Sequence, residues 1–371
     1  MKIGIYGGSF DPVHNDHLSI CLKFKNLLAL DKVIVFPAYQ SPFKSGHFTA
    51  GEHRKNMLEI AFKEYPFIEV SDFELKSEGK SYTYLTVEHL KESYSNNELY
   101  LLIGYDSLKG FLNWKRVDYL LASVTLVVAD RGGCDFEEEL RRFKKACGYT
   151  FIPMQNEGTV SSTYVREQLK LGICSQEFLP ISVCDYIKSN SLYMADELYL
   201  KVQKRLKPSR LFHTAGVVAT AVSYAKRLGE NADNARIAAL LHDIAKYEAA
   251  TNYPECEIPV GAPESVKHQY IGAYIANKEF GIDNQDVLNA IRYHTTGRPD
   301  MSTLEKIVFI ADLLEPSRRY GEVDYLRAEV ERDFENGFKL CVKRLIEYLK
   351  ISASDIFYLT TLTNEYYNSK K

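Results

Sequence analysis

The residues Lys2-Ile3-Gly4-Ile5-Tyr6-Gly7-Gly8-Ser9-Phe10-Asp11-Pro12-Val13-His14-Asn15-Asp16-His17 decide the fold of the first half of the chain. An apolar run of strand length, Lys2 to Gly7, ends in two glycines; a helix-length segment follows from His14 to Leu30, then a second apolar run from Lys32 to Pro37. Strand, helix and strand in that order make a parallel crossover, which sets a ligand site at the carboxyl ends of the strands. Gly7 and Gly8 fall at such an end, where missing side chains let a nucleotide phosphate approach the backbone. His14 and His17 lie three apart at the start of the helix and so share a face beside its positive end. Imidazoles there can bind a triphosphate and stabilise charge developing at the α-phosphate during in-line attack. An isolated His-x-x-His is more often a surface or capping pair, so the reading needs a second motif.

Further along, Leu99 to Gly104 and Ser123 to Ala129 repeat the buried-strand character. Helical patterns run over Glu52 to Tyr65, Tyr84 to Tyr94, Tyr164 to Leu171 and Ser182 to Asn190. The first domain therefore reads as an α/β doubly wound parallel sheet. Near residue 195 strand-like runs give way to long amphipathic patterns, beginning with a helix over Met194 to Lys207 that Pro208 either ends or follows by opening the next turn. Two domains are expected, 1–193 and 194–371, the second all-α. No internal repeat or low-complexity segment interrupts them.

Composition narrows the function. The 371 residues are enough for two hydrophobic cores, and a hydrophobic content of 46% with 26% charged residues is that of a globular protein. A net charge of -3 argues against a nucleic-acid backbone partner. The seven cysteines form no Cys-x-x-Cys pair, and an odd, scattered set argues against a disulfide framework and for the cytoplasm. No signal-peptide pattern and no run of about 18 apolar residues is present, so no membrane segment is expected. Composition leaves a homo-oligomer open.

The second motif is Ser161-Ser162-Thr163-Tyr164-Val165-Arg166, a hydroxyl-rich helix start whose backbone N–H groups suit phosphate, with Arg166 one turn in. With Pro37-Ala38-Tyr39-Gln40-Ser41-Pro42-Phe43-Lys44, Arg54, Ser81-Tyr82-Thr83, Gly104-Tyr105-Asp106-Ser107, Trp114 and Val128-Ala129-Asp130-Arg131, these residues resemble the bacterial nicotinate-nucleotide adenylyltransferases over about 1–193. The resemblance implies that His14, His17, Ser162 and Arg166 hold the ATP phosphates, with His14, His17 and Arg166 catalytic. It implies that Lys44 assists, that Gly7, Gly8, Ser9, Phe10 and Gly104 line the ATP site, and that Asp106 contacts the ribose. Nicotinate is then expected near Thr83 and Trp114, and Mg2+ arrives with ATP, held mainly by its phosphates. The chain departs from the family at Asp16, where glycine is usual, and at Phe43 in the loop before Lys44. A carboxylate at 16 suits a helix N-terminus but opposes a triphosphate unless it turns away.

The second half carries His213, the pair His242-Asp243 in an apolar helical stretch, His268, His294, and Asp312. Neutral imidazoles and carboxylates are ligands for borderline divalent metals, and a metal satisfies polar groups otherwise costly among apolar neighbours. Six such ligands suffice for two ions sharing an aspartate. The spacing resembles the HD superfamily, and Tyr293-His294-Thr295-Thr296-Gly297-Arg298-Pro299 with Ala311-Asp312-Leu313-Leu314-Glu315-Pro316-Ser317-Arg318 resembles the bacterial HD hydrolases that split diadenosine tetraphosphate symmetrically. That resemblance implies one metal on His213, His242, Asp243 and Asp312, and a second on His268 and His294, with Asp243 bridging and catalytic. Iron is the family's metal; manganese, cobalt and zinc suit the same donors. Lys246, Arg298 and Arg318 are the candidates for substrate phosphates. Two other readings of the second domain stand beside hydrolysis of the dinucleotide: a nucleotidase or phosphatase on another phosphate ester, and a nucleotide-sensing module.

Overall fold

The computed structural model describes residues 1–40, 49–77, 79–130, 135–156, 158, 160–352 and 355–369. Lys44, Phe43 and Arg131 lie outside these. Two compact units form, Met1–Val165 with Cys174–Leu192, and Arg166–Ile173 with Tyr193–Lys371.

The first unit is a six-stranded sheet of β1 (Lys2–Gly8), β2 (Lys32–Pro37), β3 (Ile68–Val70), β4 (Glu98–Gly104), β5 (Thr125–Asp130) and β6 (Ile152–Gln155), in the order β3-β2-β1-β4-β5-β6. Every strand pair is parallel. Its helices are α1 (Asn15–Leu28), α2 (Gly51–Phe62), α3 (Phe73–Lys76), α4 (Thr83–Ser93), α5 (Tyr105–Phe111), α6 (Val117–Ser123), α7 (Phe136–Cys147), the start of α8 (Ser162–Lys170), whose residues from Arg166 on belong to the second unit, and α9 (Ile181–Ser189). Consecutive apolar residues such as Val33, Ile34, Val35 and Phe36 are all buried, as a sheet covered on both faces requires. The strand order reverses between β1 and β4, which opens the crevice at the carboxyl ends where Gly8 and Gly104 terminate their strands. Ser123 closes α6 rather than opening the strand expected there, and β5 starts at Thr125.

The second unit is helical: α10 (Glu197–Arg205), α11 (Pro208–Leu228), α12 (Ala232–Leu241), α13 (Glu264–Lys278), α14 (Gln285–Arg292), α15 (Thr303–Leu314), α16 (Val323–Arg332), α17 (Phe334–Ile351) and α18 (Tyr358–Asn368). Asp196 caps α10 by accepting from the Tyr199 N–H at 3.1 Å, and Pro208 opens α11 in its first turn, where no N–H is needed. Buried Val217 and Val218 of α11, Leu240 and Leu241 of α12, Ile291 of α14 and Ile307 and Val308 of α15 build its core. Arg166–Ile173 pack with this unit because the Tyr199 hydroxyl bonds Glu167 and the Gln203 amide donates to the Lys170 carbonyl at 2.7 Å. No helix among the described residues is long and apolar enough to cross a membrane.

One expectation fails. Cys174 and Cys184 are joined in a disulfide, Cα atoms 6.3 Å apart, although no framework was expected. A turn of the chain between them, separated by only 10 residues, brings the sulfurs together without any repeating cysteine pattern to announce it. Cys21, Cys147, Cys256 and Cys341 are free thiols, and Cys134 lies outside the described residues.

Candidate functional site

In the first unit the glycine-rich turn after β1 is held from below. Arg54, 2% exposed, donates to the Ser9 carbonyl at 2.7 Å and to the Thr49 carbonyl at 2.9 Å. His14 is the N-cap of α1; its backbone N–H donates to His17 Nδ1 at 3.1 Å, and the two rings lie 3.7 Å apart between centroids. The Phe10 ring meets His17 edge-on at 5.0 Å, fixing the second imidazole. Gly7 is exposed, and nothing lies within 4 Å of where a side chain would start, so the backbone there is open to a ligand. Ser162, at the first position of α8, donates to the Pro12 carbonyl at 3.0 Å, bringing the glycine-rich turn and the Ser161–Arg166 segment together. Asp16 turns toward that second motif: its carboxylate accepts from the Val160 N–H at 2.9 Å, and Gly158 leaves room for it, since a methyl there would strike the carboxylate. Gly104 caps α5, and Asp106 stands exposed in its first turn. Thr83 and Trp114 line one cavity of about 330 Å³ together with Ser81, Tyr82, Asn113 and Lys115. The Lys115 ammonium sits 4.6 Å over the Tyr82 ring, giving that cavity an aromatic wall and a positive charge. Arg166 lies one turn into α8, in the part that packs with the second unit.

In the second unit α11 supplies His213, the end of α12 supplies His242 and Asp243, α13 supplies His268, the turn after α14 supplies His294, and α15 supplies Asp312. Asp243 is the hub. Its Oδ2 lies 3.3 Å from His242 Nε2 and 3.9 Å from His213 Nε2; its Oδ1 lies 3.2 Å from His268 Nε2 and 3.7 Å from His294 Nε2. Asp312 Oδ1 approaches His213 Nε2 at 3.0 Å. His242 Nδ1 donates to the Ala239 carbonyl at 2.6 Å and His294 Nδ1 to the Ile291 carbonyl at 2.8 Å. Because a carbonyl can only accept, each of these rings carries its proton on Nδ1 and turns a bare Nε2 lone pair inward. Each faces the Nε2 atom of another histidine, His242 that of His213 at 3.3 Å and His294 that of His268 at 3.2 Å. Acceptors crowded around a buried carboxylate fit a cation at their focus, and His213, His242 and Asp312, then His242, Asp243 and His294, form two overlapping sets of metal reach. Burial, with His242 and His268 close by, pushes His294 down to about 3. For Asp312, burial would raise the carboxyl, but His213 together with His242 and His294 holds it well below its usual range.

Residues 5–168 match the cytidylyltransferase-like family model and residues 210–317 match the HD domain. A protein of Clostridium tetani named probable nicotinate-nucleotide adenylyltransferase is 36% identical over 200 residues, covering 52% of this chain and 98% of that one. The chain belongs to the nicotinate-nucleotide adenylyltransferase family. Its likeness to a Mycoplasma genitalium protein named probable nicotinate-nucleotide adenylyltransferase/Ap4A hydrolase runs across both units, at 28% identity over 94% of this chain and 99% of that one. A solved Clostridium acetobutylicum structure, described as a predicted HD superfamily hydrolase involved in NAD metabolism, is 34% identical with a TM-score of 0.44, covering 47% of this chain and 97% of that one.

Within this adenylyltransferase, the HD cations divide. Lys246 Nζ lies 3.2 Å from His268 Nε2 and 3.5 Å from Asp243 Oδ1, and Arg318 donates to Asp312 Oδ1 at 2.7 Å, so both stand at the cluster. Arg298 is not brought there: it grips Glu305 with two hydrogen bonds of 2.9 Å. Glu305 is fully buried at the start of α15 and needs that counter-charge. Two residues escaped the sequence reading. Arg210 donates to Asp243 Oδ2 at 2.8 Å, and buried Glu315 accepts from His213 Nδ1 at 3.0 Å. Each stands three residues from a metal candidate on the same helical face or turn, Arg210 before His213 and Glu315 after Asp312, and that spacing was the available signal.

Proposed function

We propose that the protein is a cytoplasmic bifunctional enzyme, with residues 1–193 transferring the adenylyl group of ATP to nicotinate mononucleotide and residues 194–371 hydrolysing diadenosine tetraphosphate symmetrically to two ADP. For the first activity, His14 and His17 take the triphosphate at the α1 N-terminus, joined by Ser162 and Arg166, and the cavity of Thr83, Trp114 and Lys115 takes the nicotinate ring and its carboxylate. Pyrophosphate leaves as the nucleotide phosphate attacks the α-phosphorus, giving deamido-NAD. The names of the relatives from Clostridium tetani and Mycoplasma genitalium support this activity.

For the second activity the carrying observation is Asp243, whose two oxygens face two separate pairs of histidines. One ion on His213, His242, Asp243 and Asp312 and another on His268, His294 and Asp243 is the arrangement we infer. Two divalent ions, iron first and manganese, cobalt or zinc with the same donors, would supply an activated water at neutral pH and stabilise charge on the attacked phosphoryl group. The chain itself supplies Arg210, Lys246 and Arg318 around the cluster, placed to neutralise the remaining phosphates. Incubating the full chain with diadenosine tetraphosphate and each metal, and separating the products, tests the reading. Two ADP is the expected result; ATP plus AMP would mean asymmetric attack, and no products with any metal would return the unit to the nucleotidase or sensing alternatives.

A further inference from the structure

The disulfide of Cys174 and Cys184 encloses a loop whose carbonyls support the phosphate histidines. The Asn15 side-chain amide donates to the Gln176 carbonyl at 3.1 Å and the Glu177 carbonyl at 2.9 Å, and the Asn15 backbone N–H donates to the Phe178 carbonyl at 2.8 Å. Asn15 is the first residue of α1, between the His14 cap and His17. The same loop reaches the second phosphate motif, because the Phe178 ring meets Tyr164 edge-on at 5.4 Å, two residues after Ser162. One short segment thus braces both halves of the triphosphate site, and the sulfur bond closes that segment into a ring.

We propose that Cys174–Cys184 is a reversible thiol–disulfide site, read by a dithiol, that sets how tightly the first unit holds ATP. Cys174 is half-buried and Cys184 only 4% exposed, so an incoming thiolate meets the Cys174 sulfur first. It forms a mixed disulfide there and expels Cys184 as a thiolate, which takes up a proton. The second thiol of the dithiol, as its thiolate, then attacks the reductant sulfur of that mixed disulfide and releases Cys174. In sum two electrons and two protons pass to the cysteines, and the dithiol is oxidised to its own disulfide. In the reducing cytoplasm of the proposed function, a disulfide is characteristically transient and regulatory rather than structural. Once open, residues 175–183 lose the constraint that fixes the carbonyls around Asn15, and that order must be restored each time ATP binds.

This inference rests on the adenylyl-transfer reading, and the test separates the two. The full chain is treated with a mild oxidant or with dithiothreitol, its thiols are counted in denaturant, and ATP binding is measured by calorimetry beside nicotinate mononucleotide binding. Five reactive thiols out of seven are expected in the oxidised form and all seven after reduction. Reduction should raise the Kd for ATP about three- to tenfold, the scale of re-ordering one or two groups, and leave the Kd for nicotinate mononucleotide within about twofold. Re-oxidation should restore it. Cys174→Ser should hold the weaker ATP affinity under both treatments. Seven thiols after oxidation, or equal ATP affinity in both forms, would overturn the proposal alone. ATP binding to neither form would overturn it together with the adenylyl-transfer reading.

Discussion

Gly216→Ala is the most discriminating change in the HD unit. Gly216 stands on α11 one turn after His213, and an added Cβ would run into Glu315 Oε2 while lying 3.1 Å from Cδ and 3.2 Å from Cβ of the same side chain. Glu315 cannot swing aside cheaply. It is fully buried, and its carboxylate is held by His213 Nδ1 at 3.0 Å and by the Ser317 N–H and hydroxyl at 2.7 and 2.5 Å. Carbon contacts settle near about 3.5 Å, so the carboxylate must retreat by roughly 1 Å and give up at least one hydrogen bond to a charged group, worth about 1.5–3 kcal/mol. Alanine returns about 1 kcal/mol of helix preference, leaving a net loss of about 0.5–2 kcal/mol in stability. The larger effect is on metal binding. Glu315 fixes both the proton and the plane of the His213 ring, and removing such a support costs about 10- to 100-fold in metal affinity. Competition against a chelator, with thermal unfolding in parallel, measures both. Unchanged metal affinity in a variant that unfolds at a higher temperature would refute the claim that Glu315 orients His213.

Three further outcomes are expected. His17→Ala should slow adenylyl transfer by roughly 100-fold or more at saturating substrates, measured as pyrophosphate release, because in the proposed reaction its imidazole stabilises charge made only in the transition state; unchanged turnover would remove it from the mechanism. Elemental analysis should find two ions per wild-type chain and neither retained in Asp243→Ala, whose missing carboxylate served both histidine pairs; two ions in the variant would sink the shared-ligand arrangement. Arg298→Ala should cost about 2–3 kcal/mol of stability in denaturant titrations and leave the KM for a polyphosphate substrate unchanged, since its partner is the buried Glu305 and Arg298 itself keeps only 29% exposure; a raised KM with full stability would return Arg298 to substrate binding.

The doubly wound sheet could be read from the sequence because its inner strands are buried on both faces and so appear as unbroken apolar runs. The edge strands could not. Ile68–Val70 is three residues long, and Ile152–Gln155 contains Pro153, so neither offers the length or pattern that marks a strand. In the HD unit the six candidate ligand residues stood out because His and Asp are expensive in apolar helices. Glu315 and Arg210 did not stand out, since a carboxylate or guanidinium near a helix end is ordinarily solvated, and only the folded geometry shows one buried against His213 and the other turned onto Asp243. Asp16 illustrates the opposite case: its identity was plain and its direction was not. Sequence gives the charge at 16, while the choice between facing a ligand and bonding Val160 depends on a segment far along the chain.

That last bond spans 144 residues, and its length carries a consequence for synthesis. His14 and His17 leave the ribosome well before the segments that hold their neighbours Pro12, Asn15 and Asp16, since Val160, Ser162 and the carbonyls of 176–178 emerge only after all six strands. Local contacts form early and distant ones late, so the proposed triphosphate site is among the last features of the first unit to assemble. A nascent chain halted at β5 would hold most of a sheet and no usable nucleotide cradle. ATP, by favouring the form that binds it, therefore stabilises only chains whose first unit is finished.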